Sequence, residues 1–203
     1  RWRVIIKSVF ADGYKNLSDV DIRPHERMNI FCGDNAQGKT NLIEAVWLMT
    51  GCRSFRGTRD RDFIGFEKEK ASIRLSFQDS FRSQDISFEV RKNNIREKNI
   101  ALNGVKVPLL SRLFGSLKCV VFTPEDLFIA KGSPDNRRSF VDLSSSQLKK
   151  SFVYALNKYE NLLSQRNALI KKINFTGSGS ADDLDIWDVQ LAKTGAYISV
   201  IRD

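Results

Sequence analysis

The chain has 203 residues, 41% of them hydrophobic and 28% charged, which are the proportions of a soluble globular protein with room for one sizeable core or two unequal lobes. No apolar run approaches the ~18 residues of a membrane span, and Arg1 to Lys7 carry neither a long apolar region nor a small-residue cleavage site, so a cytoplasmic protein with no membrane partner is expected. A formal net charge of +9 points to a polyanionic partner, nucleic acid first, while the spacing of Cys32, Cys52 and Cys119 argues against a disulfide framework or a zinc site.

In chain order, the first ten residues alternate loosely, with Val4, Ile6 and Phe10 on one side, and Asp12-Gly13 breaks the run before Val20-Asp21-Ile22 resumes it. Two short strands around a turn are expected. The lone His25 follows Pro24 in a polar turn, which sets imidazole chemistry aside. A third strand, Met28 to Cys32, then delivers the segment Gly33-Asp34-Asn35-Ala36-Gln37-Gly38-Lys39-Thr40, which spells G-x-x-x-x-G-K-T, directly ahead of Asn41-Leu42-Ile43-Glu44-Ala45-Val46-Trp47-Leu48. Strand, loop and helix is the context that makes this pattern a phosphate site. Its glycines let successive N–H groups point into one concavity, the helix N-terminus adds partial positive charge, Lys39 adds a full one, and Thr40 is the natural hydroxyl ligand for magnesium. The helix is expected from about Lys39 to Thr50, closed by Gly51, with Leu42, Val46 and Met49 on one face and Ile43 and Trp47 beside it.

An arginine-dense loop follows, from Gly51 to Arg61. It is either a solvated connection or a place where Arg53 or Arg56 meets nucleotide or DNA phosphates with a planar guanidinium. From Ala71 the period becomes two: Ile73, Leu75 and Phe77, then Ile86, Phe88 and Val90, then Ile95 to Leu102 and a short return through Val105 and Val107 after the Asn103-Gly104 turn. This is an antiparallel meander with one wet face. Leu117 to Phe122 reads as a fully buried strand, stopped by Thr123-Pro124, after which Glu125 and Asp126 read as capping residues ahead of a magnesium role. Ser133-Pro134 repeats that helix start. Beyond it, Leu148, Phe152, Ala155, Leu156, Tyr159, Leu162, Leu163, Leu169 and Ile170 follow three-four spacing, as do Leu184, Trp187, Leu191, Ile198 and Ile201, with Thr176 to Ser180 as a flexible turn between the two helices. The fold class expected is α/β, a phosphate-loop ATPase lobe of mixed sheet plus antiparallel meander over 1–125 and a helical lobe over 126–203.

A phosphate loop binds, but hydrolysis also needs an acid to hold magnesium through water and a group that orients the attacking water. No apolar strand with a terminal acid other than the one ending at Phe122 precedes Asp203. The expectation is therefore the front portion of a longer protein, with no catalytic residue of its own. A small phosphotransferase, which would need a substrate pocket and a catalytic acid in the same chain, and a structural tether, which would need heptads continuing past Ile201, are the alternatives.

With these segments laid out, the chain resembles the N-terminal part of the bacterial RecF proteins, relatives of the SMC and ABC-type ATPases. The resemblance rests on Gly33 to Ala45, on Arg53-Ser54-Phe55-Arg56, on Phe122 to Leu127 and on Lys131 to Arg138, with support from Gln165 to Lys171 and Asp185-Ile186-Trp187. It implies an ABC-type ATPase lobe and a helical lobe, ATP and Mg2+ as cofactors, DNA (double-stranded or gapped, without sequence preference) as partner, an ATP-dependent homodimer, and work with RecO and RecR in loading RecA. It also implies that Gly33, Asp34, Asn35, Ala36, Gln37, Gly38, Lys39, Thr40 and Asn41 hold the phosphates and magnesium, and that Arg56 reaches the nucleotide. The sequence departs from the family at Pro124-Glu125-Asp126, where a glutamine is usual, and over Val9 to Leu17, where Lys15 is the candidate basic contact near the adenosine. The resemblance places the family's signature motif and second acidic strand beyond Asp203, so the chain by itself is expected to bind nucleotide weakly or not at all and to hydrolyse almost none.

Overall fold

Period-two alternation builds the first part of the protein. In β3 (Lys70–Gln78), Ala71, Ile73, Leu75 and Phe77 are buried, and in β4 (Ser83–Arg91), Ile86, Phe88 and Val90 are buried. The antiparallel register sets Ile73 opposite Phe88 and Leu75 opposite Ile86, so one face of the pleat is apolar except for the buried Gln84 opposite Phe77. β1 (Ile5–Asp12), β2 (Val20–Ile22), β5 (Asn94–Leu102) and β6 (Val105–Val107) extend this pair into a six-stranded sheet of order β2-β1-β3-β4-β5-β6, antiparallel at every pairing. Asn103 and Gly104, with φ of 52° and 78°, make the tight β5–β6 turn. The helix α1 (Lys39–Leu48) contributes Leu42, Ala45 and Leu48 to the same core as Val9, Ile73 and Phe88. The structure, a computed structural model, describes residues 4–57, 59–176 and 180–203, and the chain divides into two units, one ending at Val121 and the other beginning at Phe122.

Several expectations need correction in the first unit. A register shift between Ile6 and Ser8 changes the phase of β1. Val9 and Ala11 are therefore buried, while Phe10 turns to the other face, where the Arg74 guanidinium stands 4.5 Å from its ring centroid. The segments 28–32 and 117–122 are not strands among the described residues. Ile30, Val120 and Phe122 are largely exposed, because an apolar run becomes a strand only where a neighbour takes up its N–H and C=O groups. The parallel strands of a mixed sheet are accordingly not formed among the described residues, while the α/β class stands. Cys32 is exposed with that segment and only Cys52 is fully buried, where burial pushes its thiol up to about 11. On α1, Ile43 is exposed and does not join the core face.

The second unit is helical: α2 (Leu127–Lys131), α3 (Pro134–Leu148), α4 (Lys150–Thr176) and α5 (Asp185–Arg202). Thr123 and Asp126 cap one another ahead of α2, and Ser133-Pro134 starts α3 as its sequence requires. Phe152, Ala155 and Ile198 form the centre of the α4–α5 packing, with Leu156, Tyr159 and Ile201 against them. The pairs Arg166–Asp188 and Ser151–Tyr197 run in opposite directions along the two helices, so the helices are antiparallel. Arg202 adds a two-pronged ion pair to Asp142, at 2.7 and 2.8 Å. Leu148 and Leu163, placed on the apolar stripe by spacing, are exposed. Most of the expected turn between α4 and α5, residues 177–179, lies outside the described residues.

Gly13 fixes how the chain leaves β1. Its φ is +66°, and a Cβ there would lie 2.1 Å from the Lys70 carbonyl oxygen, the backbone of the neighbouring strand. Gly13→Ala is expected to lower unfolding free energy by about 3 kcal/mol in denaturant titration, whereas Gly104→Ala, with open space around its Cβ, costs about 1 kcal/mol through φ alone. Equal losses at the two positions would contradict this account.

Candidate nucleotide site

The segment Gly33 to Gly38 bends sharply three times: Gly33, Ala36 and Gly38 have φ of 145°, 65° and 93°. Positive φ at closely spaced positions turns consecutive amides toward one side, the geometry of an anion-binding nest. Gly38 is the N-cap of α1, no side chain among the described residues caps that terminus, and Leu42 N–H already bonds the Gly38 carbonyl at 2.9 Å. The first-turn amides of α1 are thus left to face the loop. Residues 33–37 are exposed. Lys39 folds back over them, its Nζ donating to the carbonyls of Gly33 at 2.7 Å and Asp34 at 2.6 Å. A cation is thereby held at the mouth of the nest.

A non-glycine residue in the left-handed region is strained unless its surroundings hold it there. Ala36 is held by Asn16, whose Nδ2 donates to the Ala36 carbonyl at 2.6 Å. The same asparagine explains the need for Gly38: a Cβ at that position would lie 2.8 Å from Asn16 Oδ1 and 2.8 Å from Leu17 Cδ2. Asn16 Oδ1 in turn accepts from Asn41 Nδ2 at 2.7 Å, and Asn41 Oδ1 accepts from Arg56 Nη1 at 3.1 Å. The turn after β1, the start of α1 and the arginine loop therefore meet beside Gly33–Thr40.

Beneath them lies Glu44, a fully buried carboxylate one turn along α1. Lys15 Nζ forms an ion pair with its Oε2, and the Ser54 hydroxyl donates to its Oε1. Ser54 Oγ also accepts from the Arg56 backbone N–H at 3.1 Å. Nearby, burial and then the Glu44 charge push the Tyr14 phenol well above its ordinary range. Trp47 anchors the other end of the loop, donating from Nε1 to the Arg53 carbonyl at 2.9 Å and packing edge-on against Phe55 with centroids 6.3 Å apart.

Residues 9–191 match the AAA domain family. The chain belongs to that family. This AAA domain is 37% identical to the DNA replication and repair protein RecF of Alkaliphilus oremlandii over 199 residues, which is 98% of the chain and 53% of the relative. It is 38% identical to the RecF of Lachnospira eligens, covering 96% of the chain and 53% of the relative. Among solved structures, it is similar to one described as the recombination mediator protein RecF-ATP in the RecFOR pathway, with a TM-score of 0.90 and 35% identity over 98% of the chain and 53% of that protein. A second, of RecF-ATPrS, gives a TM-score of 0.87 at 33% identity, with the same coverage of both chains. The resemblance read from the sequence and the α/β ATPase fold are thus borne out. The AAA domain spans about half the length of the RecF relatives it matches.

Of the residues singled out in the sequence, the AAA domain brings Gly33–Asn41 and Arg56 together, with Thr40 exposed at the second position of α1. Of the two loop arginines, Arg56 is the one whose guanidinium bonds the start of α1, while Arg53 supplies a carbonyl to Trp47. Lys15, the candidate basic contact for the adenosine, is instead bound to Glu44. Sequence reasoning missed Asn16, Glu44 and Ser54. One signal was available: Glu44 sits between Leu42-Ile43 and Ala45-Val46 in the otherwise apolar stretch Leu42 to Leu48, and an acid there must find a partner.

Removing the carboxylate from this set leaves Lys15 facing a buried gap and releases Ser54. Glu44→Ala is expected to cost about 3 kcal/mol of stability, as for one partner lost from a buried pair, against less than about 0.5 kcal/mol for Glu67→Ala on an exposed stretch. Thermal and denaturant unfolding of the two variants side by side measures the difference.

Proposed function

We propose that this chain is the nucleotide-binding part of an ATP-dependent DNA-binding protein of recombinational repair and replication restart. In this reading ATP closes a homodimer against double-stranded or gapped DNA, which with RecO and RecR helps load RecA. The observation that carries it is the position of Lys39, bracketed by the Gly33 and Asp34 carbonyls at the mouth of a nest whose helix terminus has no side-chain cap among the described residues. An ammonium bound only to backbone carbonyls can exchange them for phosphate oxygens while the loop amides remain where they are. The similarity to proteins named as DNA replication and repair proteins, and to a solved RecF-ATP structure, supports ATP as the ligand.

Each residue has a distinct part in this scheme. The amides of Asp34 to Gly38 and the first turn of α1 hold the β- and γ-phosphates, and Lys39 neutralises them. The Thr40 hydroxyl, exposed beside Lys39, fits a magnesium ion as one oxygen donor, the phosphates supplying others. Magnesium, when bound, offsets the phosphate charge. Arg56, already at the start of α1, is the guanidinium within reach of the terminal phosphate. In this reading the acids and subunit contacts that complete hydrolysis come from outside these 203 residues, which span 53% of the RecF relative's length. The net charge of +9 supports a backbone-directed, sequence-independent grip on DNA.

In a full-length protein containing this chain, Lys39→Met is expected to weaken ATP binding by about 100-fold, roughly 3 kcal/mol, and to abolish ATP-dependent self-association in light scattering while leaving the unfolding midpoint unchanged. Self-association that persists in the variant would assign Lys39 the wrong role. DNA affinity, titrated on duplex and gapped DNA with ATP, is expected to fall by about 10-fold or more between 50 and 200 mM salt. Binding indifferent to both salt and ATP would overturn the proposal.

A further inference from the structure

The hydrogen bonds around Glu44 close on themselves. From its Oε1 the path runs through the Ser54 hydroxyl to the Arg56 backbone, from the Arg56 guanidinium to Asn41, from Asn41 to Asn16, along one peptide to Lys15, and back to Glu44 through Oε2. One spoke leaves the ring, the bond from Asn16 Nδ2 to the carbonyl of Ala36, the residue whose left-handed φ shapes the loop. Ser54 is where the ring crosses from the buried carboxylate to the arginine loop: a single oxygen donates to Glu44 and accepts from Arg56. Alanine could supply neither bond.

From this closure we infer that Ser54 and Glu44 are positioning residues which tie the arginine loop and the phosphate loop into one mechanical unit, so that the placement of Arg56 and the shape of the loop at Ala36 are set together. The reason is geometric. When the Arg56 guanidinium leaves Asn41 Oδ1, the Asn41 amide is free to turn, Asn16 loses the partner that orients it, and the bond fixing Ala36 loses its support. The charge on Glu44 strengthens the Ser54 bond, and Lys15 keeps that charge balanced without leaving the ring. The part of the inference that concerns a nucleotide rests on the function proposed above; the coupling itself does not.

The test uses Ser54→Ala, Ser54→Thr, Arg56→Ala and the Ser54→Ala/Arg56→Ala double variant in the 203-residue chain, since Glu44 variants are expected to lose stability. In 1H–15N spectra, Ser54→Ala and Arg56→Ala are each expected to move the side-chain amide signals of Asn41 and Asn16 and the backbone signals of Gln37 and Gly38. Signals of β3 and β4 stay in place, and Ser54→Thr, which keeps the hydroxyl, restores the wild-type positions. Changes confined to residues 53–57, changes spread equally through β3 and β4, or a failure of threonine to restore them would overturn the inference. ATP titration of the same proteins separates it from the phosphate-site reading. Ser54→Ala and Arg56→Ala are expected to weaken ATP binding by a similar factor, about fivefold, with the double variant no weaker than the worse single one; additive losses would count against coupling. A wild-type chain that binds no ATP but still shows the coupled shifts would remove the nucleotide from the picture and leave the coupling standing.

Discussion

A carboxylate taken out of water is tolerated only when opposite charge and hydrogen bonds replace its hydration, and at Glu44 that requirement organises the site. The residue sits on the core side of α1, fully buried, so its partners must come to it from other elements. Lys15 comes from the turn after β1 and Ser54 from the loop after α1. Satisfying one buried charge thus fixes the relative position of three segments, one of them 29 residues from Glu44 along the chain. The loop that they surround, Gly33 to Gly38, carries no apolar anchor of its own, since residues 33–37 are exposed. It keeps its shape because Asn16, itself placed next to Lys15, bonds Ala36.

The same constraint divides the labour between rigid and exchangeable contacts. The bonds of Glu44 to Lys15 and Ser54 are half-buried and join side chains whose removal would leave charge behind. The bonds made by Lys39 are of the other kind, to exposed backbone carbonyls. An ammonium can leave these for an anion at small cost, because water or the anion takes over on each side. A preformed nest with an exchangeable cation at its mouth is an economical way to bind a polyanion, since little of the loop has to be ordered on binding.

The meander behind this site serves as a platform. Its buried face shares one core with Leu42, Ala45 and Leu48 of α1, so the helix that presents Lys39 and Thr40 is anchored in the core of the first unit. The close pass of Gly13 against the Lys70 backbone lets β1 and β3 approach where the turn bearing Lys15 and Asn16 begins. Precision at the loop therefore depends on strand packing several residues away. The helical unit is built differently, on three-four spacing along α4 and α5 and on ion pairs such as Arg202–Asp142.

Much of this was legible in the residues alone. The G-x-x-x-x-G-K-T pattern, the helix that follows it, the β3 to β6 meander and the helix starts at Thr123 and Ser133 are local: each depends on periodicity, turn chemistry or capping within a few positions, although the helix ends at Leu48, capped by Met49, ahead of the expected Thr50 and Gly51. Where the sequence misled, pairing over long range was the cause. Met28 to Cys32 and Leu117 to Phe122 have the composition of buried strands, yet a strand exists only beside another, and composition does not say whether the neighbour is there. Phe10 was assigned to the wrong face because one irregularity in the β1–β3 register reverses the alternation. By itself, then, the sequence determined the loop, its cation and the succession of elements, since these follow from neighbours along the chain. The tertiary structure alone decided that Lys15 serves a buried acid, that the Arg56 guanidinium bonds the start of α1 while Arg53 offers Trp47 only its carbonyl, and that Asn16, Glu44 and Ser54 belong to the site, because hydrogen bonds between residues 15, 44 and 54 leave no periodic trace in the order of residues.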